Sequence, residues 1–481
     1  MPPAKKTAKK TTKKAAATTK KVVAKKKAAT KKTATKKTAA KKTAATKKTE
    51  TKKSKKIFEP IRGMKDIIPR DEKYWLAIWK SARELARAYS YNYIETPVIE
   101  PTQLFVRSIG KGTDVVDKEM YTFEDRDGNK VSMRPEFTAG IARSFISNGM
   151  INMPQPVKLW TQGQLFRYDR PQAGRYRQFH QFGCEVVGGR DPVIDAELIN
   201  IGYNFYRDLG INTEVYINSI GSLEDRQNYT IELVGYLRSK RSYLSDLSKK
   251  RLTKNPLRIL DSKDEQDKEV LQEAPQIIEW LSQDSKDFFM KVLEYLDELQ
   301  IPYVLQPTLV RGLDYYCDTV YEYYVEGADH TSQGALGGGG RYDALIEQLG
   351  GREATPASGF GLGLERCILA MKAAQKEGKK VVTHEKPTIF FAQLGEMARR
   401  KALRIFEELR RDGVYVMSTL SKGSLRAQLE LADNMKVTHT AILGQKEVQD
   451  NTIIIRDMAT GMQEIIDQKN LTKHLKSIQK N

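Results

Sequence analysis

VKLWTQGQLFRYDRPQAGRYRQFHQFGCEVVG, residues Val157 to Gly188, is the stretch on which the reading of this chain turns. Apolar residues around Trp160 lead into a polar segment with Arg167, Arg170, Arg175 and Arg177. Phe179, Phe182 and Val186 then resume the apolar run. The pattern predicts strand, loop, strand, with Pro171, Gln172, Ala173 and Gly174 supplying turn chemistry between two runs of β character. Several arginines at one loop suit a polyphosphate, because each guanidinium offers fixed, permanently charged donors that match phosphate oxygens. A solvated basic hairpin tip accounts for the same composition equally well.

Four further segments carry residues with chemistry. LVRGLDYYCDTVYE (Leu309 to Glu322) puts Arg311, Asp314, Tyr315 and Tyr316 on a predicted turn before a strand from Thr319 to Val325. An arginine beside two tyrosines can hold an anion while aromatic walls bracket a small polar ring; the tyrosines can equally pack in a core. ALGGGGRYDAL (Ala335 to Leu345) contains Gly337 to Gly340, where the backbone can approach a ligand closely or form a flexible turn. GFGLGLER (Gly359 to Arg366) reads as a glycine-flanked strand entering a helix from Leu364 to Ala374, and it lacks the GK[ST] ending of a Walker loop. KVSMRPEFTAG (Lys130 to Gly140) runs from a strand through Pro135 towards a helix, with Glu136 placed to act as a helix N-terminal acid.

Taken together, these stretches resemble the class II aminoacyl-tRNA synthetases, and within them the bacterial histidyl-tRNA synthetase family. The hairpin looks like motif 2. LVRGLDYYCDTVYE and ALGGGGRYDAL look like the two histidine-specific signatures, and GFGLGLER resembles motif 3. Lone Arg-rich or Gly-rich segments arise by chance, but four in the family's order are far more specific. The resemblance implies a cytoplasmic, homodimeric enzyme that activates histidine with ATP to histidyl-adenylate and transfers it to tRNA(His), releasing AMP and pyrophosphate. It also implies roles. Arg167 and Arg311 are the catalytic pair at the α-phosphate, Arg175 and Arg366 hold the distal phosphates of ATP, and Mg²⁺ bridges phosphate oxygens, with no protein ligand for it identified. Histidine is met by Glu136, Thr138, Arg167, Gln181, Glu185, Arg311, Tyr315 and Tyr316, and the tRNA acceptor end by Arg170 and Gln172. Phe137 stands where relatives carry glycine, which bears on the local backbone shape, and Cys317-Asp318 replaces the Asn-Arg or Thr-Gly of relatives. Two alternatives stay open: a catalytically silent, synthetase-like regulatory subunit of ATP phosphoribosyltransferase, and a nucleic acid packaging protein that has captured a synthetase body.

Length and composition agree with this reading without suggesting it. The 481 residues, 40% of them hydrophobic, are enough for about three domains with large cores. The net charge of +21 resides at one end. Residues 1–56 hold 23 lysines and one acid, Glu50, so the remaining 425 residues sum to −1. This lysine, alanine and threonine tail has little beyond Val22 and Val23 to bury, and the expectation is a disordered segment attracted to nucleic acid phosphate. A transit peptide is the rival reading, disfavoured by the absence of arginine and the scarcity of serine. Cys184, Cys317 and Cys367 are odd in number and unpaired in spacing, which implies reduced intracellular thiols and not a zinc or disulfide framework.

By this resemblance the expected fold class is α/β (α+β), with an antiparallel-sheet catalytic domain over 57–374. An early helix carrying Trp75, Ile78, Trp79, Leu85 and Ala86, capped by Asp71, leads to Tyr93-Ile94-Glu95-Thr96-Pro97. By resemblance these form motif 1 and the dimer interface. A helix from Asp195 to Leu209 and a strand from Thr213 to Ser219 come next, and the charged, glycine-poor stretch 223–300 reads as a helical insertion. Pro302 to Pro307 returns as a strand. After a linker at 375–386, strands at Thr388 to Gln393, Val414 to Met417, Thr440 to Leu443 and Thr452 to Arg456 alternate with helices, which predicts a small α/β domain over 387–481 with a mostly parallel sheet. By resemblance that domain reads the anticodon.

Overall fold

In a computed structural model, Val157–Phe166 and Gln178–Val187 pair antiparallel in continuous register, from Val157 opposite Val187 to Phe166 opposite Gln178. The structure describes residues 58–110, 112–327, 334–381, 388–420 and 423–480; the lysine-rich tail lies outside them. Strands β1 (Asn92–Tyr93), β2 (Ile99–Pro101), β3 (Thr122–Glu124) and β4 (Lys130–Met133) precede this hairpin, whose arms are β5 and β6. Then come β7 (Thr213–Ser219), β8 (Tyr303–Leu305), β9 (Cys317–Val325), β10 (Gly337–Arg341) and β11 (Ala357–Gly363). Eight strands make one sheet in the order β1-β5-β6-β11-β10-β9-β7-β8, while β2-β4-β3 form a small separate one. The large sheet is antiparallel from β5 through to β7, with parallel pairs at its edges, β1 with β5 and β7 with β8.

Alternation along these strands sorts two cores. Trp160, Phe182, Cys184, Val186, Val215, Ile217, Tyr321 and Tyr323 face one side, packed with helices α1 (Glu72–Ala88), whose buried stripe is Tyr74, Trp75, Ala77, Ile78, Ala82 and Ala86, and others given below. Leu159, Val187, Tyr216, Val320 and Tyr324 face the other. Since successive side chains of a strand point to opposite faces, Gln181 and Glu185 share the second face with Val187. That face is where the site lies.

Following α1 come α2 (Thr102–Ile109), α3 (Thr138–Ser147), α4 (Pro192–Asp208), α5 (Leu223–Ser239), α6 (Asp246–Lys254), α7 (Glu265–Leu271), α8 (Gln283–Glu298), α9 (Leu345–Gln348) and α10 (Leu364–Lys376). The stretch between β7 and β8 is helical as expected, but it divides. Tyr229, Leu233 and Leu237 of α5, Leu252 of α6 and Leu271 of α7 join α3 in the core on the site face. Phe289, Val292, Leu293 and Leu296 of α8 join α1, α4 and α10 on the opposite one.

Several local expectations are corrected. Asp71 does not cap α1 with its side chain; its carboxylate binds Lys372 Nζ of α10 at 2.5 Å. Helix α4 starts at Pro192, not Asp195, because Asp191 accepts from Val193 N and Pro192 suits a first helical position. Asp195 is instead fully buried against Arg341. Helix α10 continues to Lys376, into the stretch read as linker, and the strand expected over Pro302 to Pro307 shortens to β8. In the C-terminal region, β12 (Ile389–Gln393), β13 (Met417–Ser418), β14 (His439–Leu443), β15 (Thr452–Asp457) and β16 (Gln463–Asp467) order as β13-β12-β14-β15-β16. The β13, β12 and β14 pairings are parallel, but β15 is antiparallel to both neighbours, so the sheet is mixed and not mostly parallel. A parallel return needs a crossover of roughly a dozen residues. The connections from Leu443 to Thr452 and from Asp457 to Gln463 are shorter than that.

Candidate active site

On the site face the sheet opens into a cavity of about 260 Å³ lined by Arg167, Arg175, Arg311 and Arg366, with Gln181, Glu322 and Glu365 among its other walls. Each guanidinium is aimed by its own partners. Arg167 follows β5, donates Nε to Pro135 O at 2.9 Å and lies 5.6 Å from the Phe179 ring. Arg175 is held between Asp169 and Glu119. Arg366, in the first turn of α10, donates to Gly174 O at 3.3 Å and to Ala335 O, which ties motif-like helix and hairpin tip together. Burial lowers its pKa, and the neighbouring Arg175 charge lowers it further. Arg311 bonds Glu322, and its buried Nε has no hydrogen-bond partner. Burial alone would lower the Arg311 pKa, but Glu322 and the adjacent tyrosines outweigh it, and the net shift is upward. The guanidinium stays charged with an unspent donor, which is the condition for receiving an anion.

Next to the cavity lies a buried polar pocket. Thr138 Oγ1 donates to Glu185 Oε1 at 2.7 Å and Tyr342 OH donates to Glu185 Oε2 at 2.5 Å. Burial pushes the Glu185 pKa up to about 8, against the pull of those two hydroxyls. Glu136 does act as a helix N-terminal acid, since its Oε1 accepts from Ala139 N at 2.9 Å at the start of α3. Its Oε2 is buried without a partner, and burial raises its pKa although the α3 amides and Arg167 oppose this. Tyr315 and Tyr316 are buried, with ring centroids 4.7 Å apart, and Tyr315 meets Tyr342 edge-on at 5.6 Å. An orphaned carboxylate oxygen, a carboxyl of raised pKa and phenol rings can together receive a small group that donates hydrogen bonds.

Two glycines make this packing possible. A Cβ on Gly359 would sit 1.5 Å from Glu185 Oε2, and one on Gly338 would sit 2.9 Å from Arg311 Nη1 and 2.3 Å from Tyr321 O. The glycine-rich strands β10 and β11 thus form a floor on which functional side chains from other elements lie flat.

The structure brings together Arg167, Arg175, Gln181, Arg311 and Arg366 at the cavity, and Glu136, Thr138, Glu185, Tyr315 and Tyr316 at the pocket beside it. Arg170 and Gln172 are exposed in the hairpin loop and do not line the cavity. Phe137 adopts a right-handed backbone (φ −94°) that needs no glycine, and its ring lies under Arg134 at 4.8 Å. Sequence reading passed over the counter-charges Glu119, Asp169 and Glu322, the Tyr342 hydroxyl, and Glu365, which binds His180 Nδ1 at 2.7 Å and its backbone N. Asp169, Glu322, Tyr342 and Glu365 stand inside the quoted motifs, which was the only signal for them, and Glu119 lies outside all of these stretches. Cys184, Cys317 and Cys367 are free and buried, in keeping with reduced thiols. Cys317, Asp318 and Asp343 lie close enough to share a metal ion. Arg190 already sits 3.6 Å from Asp318 and 3.7 Å from Asp343, and Arg341 pairs with Asp343 at 3.1 Å.

An antiparallel sheet flanked by helices, with a motif 2 hairpin and a motif 3 helix each delivering an arginine to one cavity, defines a class II aminoacyl-tRNA synthetase fold. The sequence profile described as Histidyl-tRNA synthetase matches residues 63–367, and that of the Anticodon binding domain matches 388–478. The chain is 41% identical over 423 residues to a histidine–tRNA ligase of Anoxybacillus flavithermus, covering 88% of this chain and 99% of that one. It is 43% identical over 420 residues to that of Acaryochloris marina, covering 86% and 96%. Among solved structures, apo S. aureus histidyl-tRNA synthetase superposes with a TM-score of 0.71 at 33% identity, over 87% of this chain and 100% of that one. The chain belongs to the histidyl-tRNA synthetase family.

Proposed function

We propose that the protein is a histidine–tRNA ligase that uses ATP to activate histidine and then loads tRNA(His). The observation that carries this is the convergence of four arginines, from three separated segments, on one cavity beside a closed polar pocket. In the first step the histidine carboxylate attacks the α-phosphorus, the bond to the pyrophosphate oxygen breaks, and pyrophosphate leaves. Arg167 and Arg311 meet the charge that grows on the α-phosphate, and Arg175 and Arg366 hold the distal phosphates. The chemistry then depends on positioning and on fixed positive charge. Glu136 and Thr138 receive the amino group, with Gln181. Glu185, Tyr315 and Tyr316 bracket the imidazole. In the second step the terminal ribose hydroxyl of the tRNA attacks the adenylate carbonyl and AMP leaves, with Arg170 and Gln172 exposed to meet the acceptor end.

Glu322 and Glu365, which also hold Arg311 and His180, are oxygen donors lining the cavity and suit a hard cation; they would hold Mg²⁺, which when bound would supply positive charge against the phosphates. The domain over 388–478 reads the anticodon, as its family match suggests. Trp79, Tyr93, Val98 and Ile99, left exposed on α1, β1 and β2 and the turn between those strands, support a homodimer through that surface. The lysine-rich tail binds nucleic acid without sequence preference, and the enzyme works in the cytoplasm; among the described residues no helix is long and apolar enough to cross a membrane. The regulatory-subunit and packaging alternatives are not favoured, since the full-length relatives are ligases and the arginine set is complete. Pyrophosphate exchange into ATP with histidine, glutamine or phenylalanine tests the assignment. Exchange is expected with histidine alone, because unpaired polar groups in the pocket penalise an apolar ring heavily. Comparable exchange with phenylalanine would refute it.

A further inference from the structure

The segment 309–316 carries Arg311, Tyr315 and Tyr316 but joins no helix or strand before β9 begins at Cys317. Its shape is imposed from outside. Arg226, in the first turn of α5, directs one guanidinium nitrogen, Nη1, at two carbonyls of this segment: Asp314 O at 3.1 Å and Tyr316 O at 2.6 Å. Asn255, just past α6, donates Nδ2 to Asp314 Oδ1 at 2.8 Å, and Asp314 N donates to Ile109 O at 3.1 Å. A cation bridging the carbonyls of 314 and 316 fixes the two peptide planes to which they belong, 314–315 and 316–317. Those planes flank the Tyr315–Tyr316 pair, so the bridge constrains the directions in which the two phenol rings leave the backbone. Arg226 is only partly exposed and, among the described residues, makes no ion pair with a carboxylate. Burial lowers the Arg226 pKa, opposed in part by the neighbouring Asp314 charge, so seating a guanidinium on these carbonyls is costly.

We infer that Arg226, supported by Asn255, is a positioning residue for the amino-acid pocket, through which the helical insertion holds Tyr315 and Tyr316 in register with Glu185. The inference rests on the assignment of histidine to that pocket. A second tie runs in parallel: Arg251 of α6 donates to Asp114 Oδ2 at 3.1 Å, and the helical turn Val115–Glu119 ends at the residue paired with Arg175. The insertion thus grips one segment behind the amino-acid pocket and another behind a phosphate-facing arginine.

The test uses the full-length protein in histidine-dependent pyrophosphate exchange, with separate titrations of histidine and ATP. Wild-type protein without histidine-dependent exchange would overturn the functional assignment itself, and this inference with it. With exchange established, Arg226→Gln is expected to raise the KM for histidine roughly tenfold or more, the loss that one charge-assisted hydrogen bond predicts, while the KM for ATP stays within about twofold. Arg226→Lys, whose ammonium can reach one carbonyl, should fall between. Asn255→Ala should move the histidine KM the same way by less, and combining it with Arg226→Lys should give less than the product of the two effects, because both act on one segment. If the Gln variant does not fold, the Lys and Asn255 variants carry the same comparison. Histidine and ATP KM values rising together, or a reduced count of active sites with an unchanged histidine KM, would show that Arg226 serves stability alone and overturn the inference.

Discussion

Replacing Gly359 with alanine is a one-carbon change whose sign depends on where Glu185 lies. In a strand interior, glycine is ordinarily the less stable choice by roughly 0.5–1 kcal/mol, so an innocuous Gly359→Ala would be neutral or stabilising. Here the added Cβ would sit 1.5 Å from Glu185 Oε2, 2.4 Å from its Cδ and 2.7 Å from Cys184 O. The backbone carbonyl belongs to the paired β6 and cannot retreat, so the carboxyl group must leave. Departure breaks its bonds from Thr138 at 2.7 Å and Tyr342 at 2.5 Å and strands the Tyr342 hydroxyl in the core. Leaving such groups unpaired costs about 1–3 kcal/mol each, so a net destabilisation of about 3 kcal/mol is expected. The histidine KM should rise on the order of a hundredfold, since two pocket contacts go together. Thermal melting and histidine-dependent exchange measure the two effects. Gly361→Ala, where the new Cβ meets only the movable Gln181 Oε1 at 2.8 Å among its near contacts, is the milder comparison. A Gly359→Ala protein that melts at or above the wild-type temperature with an unchanged histidine KM would refute the placement of Glu185.

Three other outcomes follow from the same geometry. Arg311→Ala should slow adenylate formation at saturating histidine and ATP by about 3 kcal/mol, because its charge meets phosphate charge that develops in the transition state; a wild-type single-turnover rate would remove it from the chemistry. Glu185, at about 8, binds its proton more tightly folded than unfolded, so its contribution favours the folded state at low pH and is lost as pH rises from the ordinary carboxyl range through about 8. Glu185→Gln should therefore flatten the fall in melting temperature over that window, and an identical fall in both proteins would mean another group causes it. Deleting residues 1–56 should leave exchange nearly unchanged while the log–log salt slope of duplex DNA binding, near −9 if about ten lysines engage, becomes much shallower; equal slopes would place the attraction in the body.

How far the sequence reaches is clearest at particular residues. Arg167, Arg175, Gln181, Arg311 and Arg366 could be named because each stands in a stretch that resembles a family motif; the local pattern alone, strand then turn or strand then helix, gave their setting and not their roles. The parity that places Gln181 and Glu185 on one face is equally local, since a strand alternates whatever surrounds it. The β15 reversal was open to the same kind of reading, as the connections before and after it are too short for parallel crossovers. The assignment of α8 to the face opposite α5, α6 and α7 was not, because both groups of helices are amphipathic and only the path of the chain decides which side of the sheet each covers. The same holds for partners. That Asp71 serves Lys372 in place of its own helix, that Tyr342 holds Glu185 across 157 positions, and that Arg226 clasps the carbonyls of 314 and 316 are outcomes of competition among donors and acceptors brought within about 3 Å by folding. By itself the sequence determined most of the elements, though not their ends, the motifs by their resemblance, and the charge division between tail and body. The tertiary structure alone decided which charges meet, because an ion pair or buried hydrogen bond depends on distance in space, and distance along the chain does not constrain it once the chain has turned back on itself.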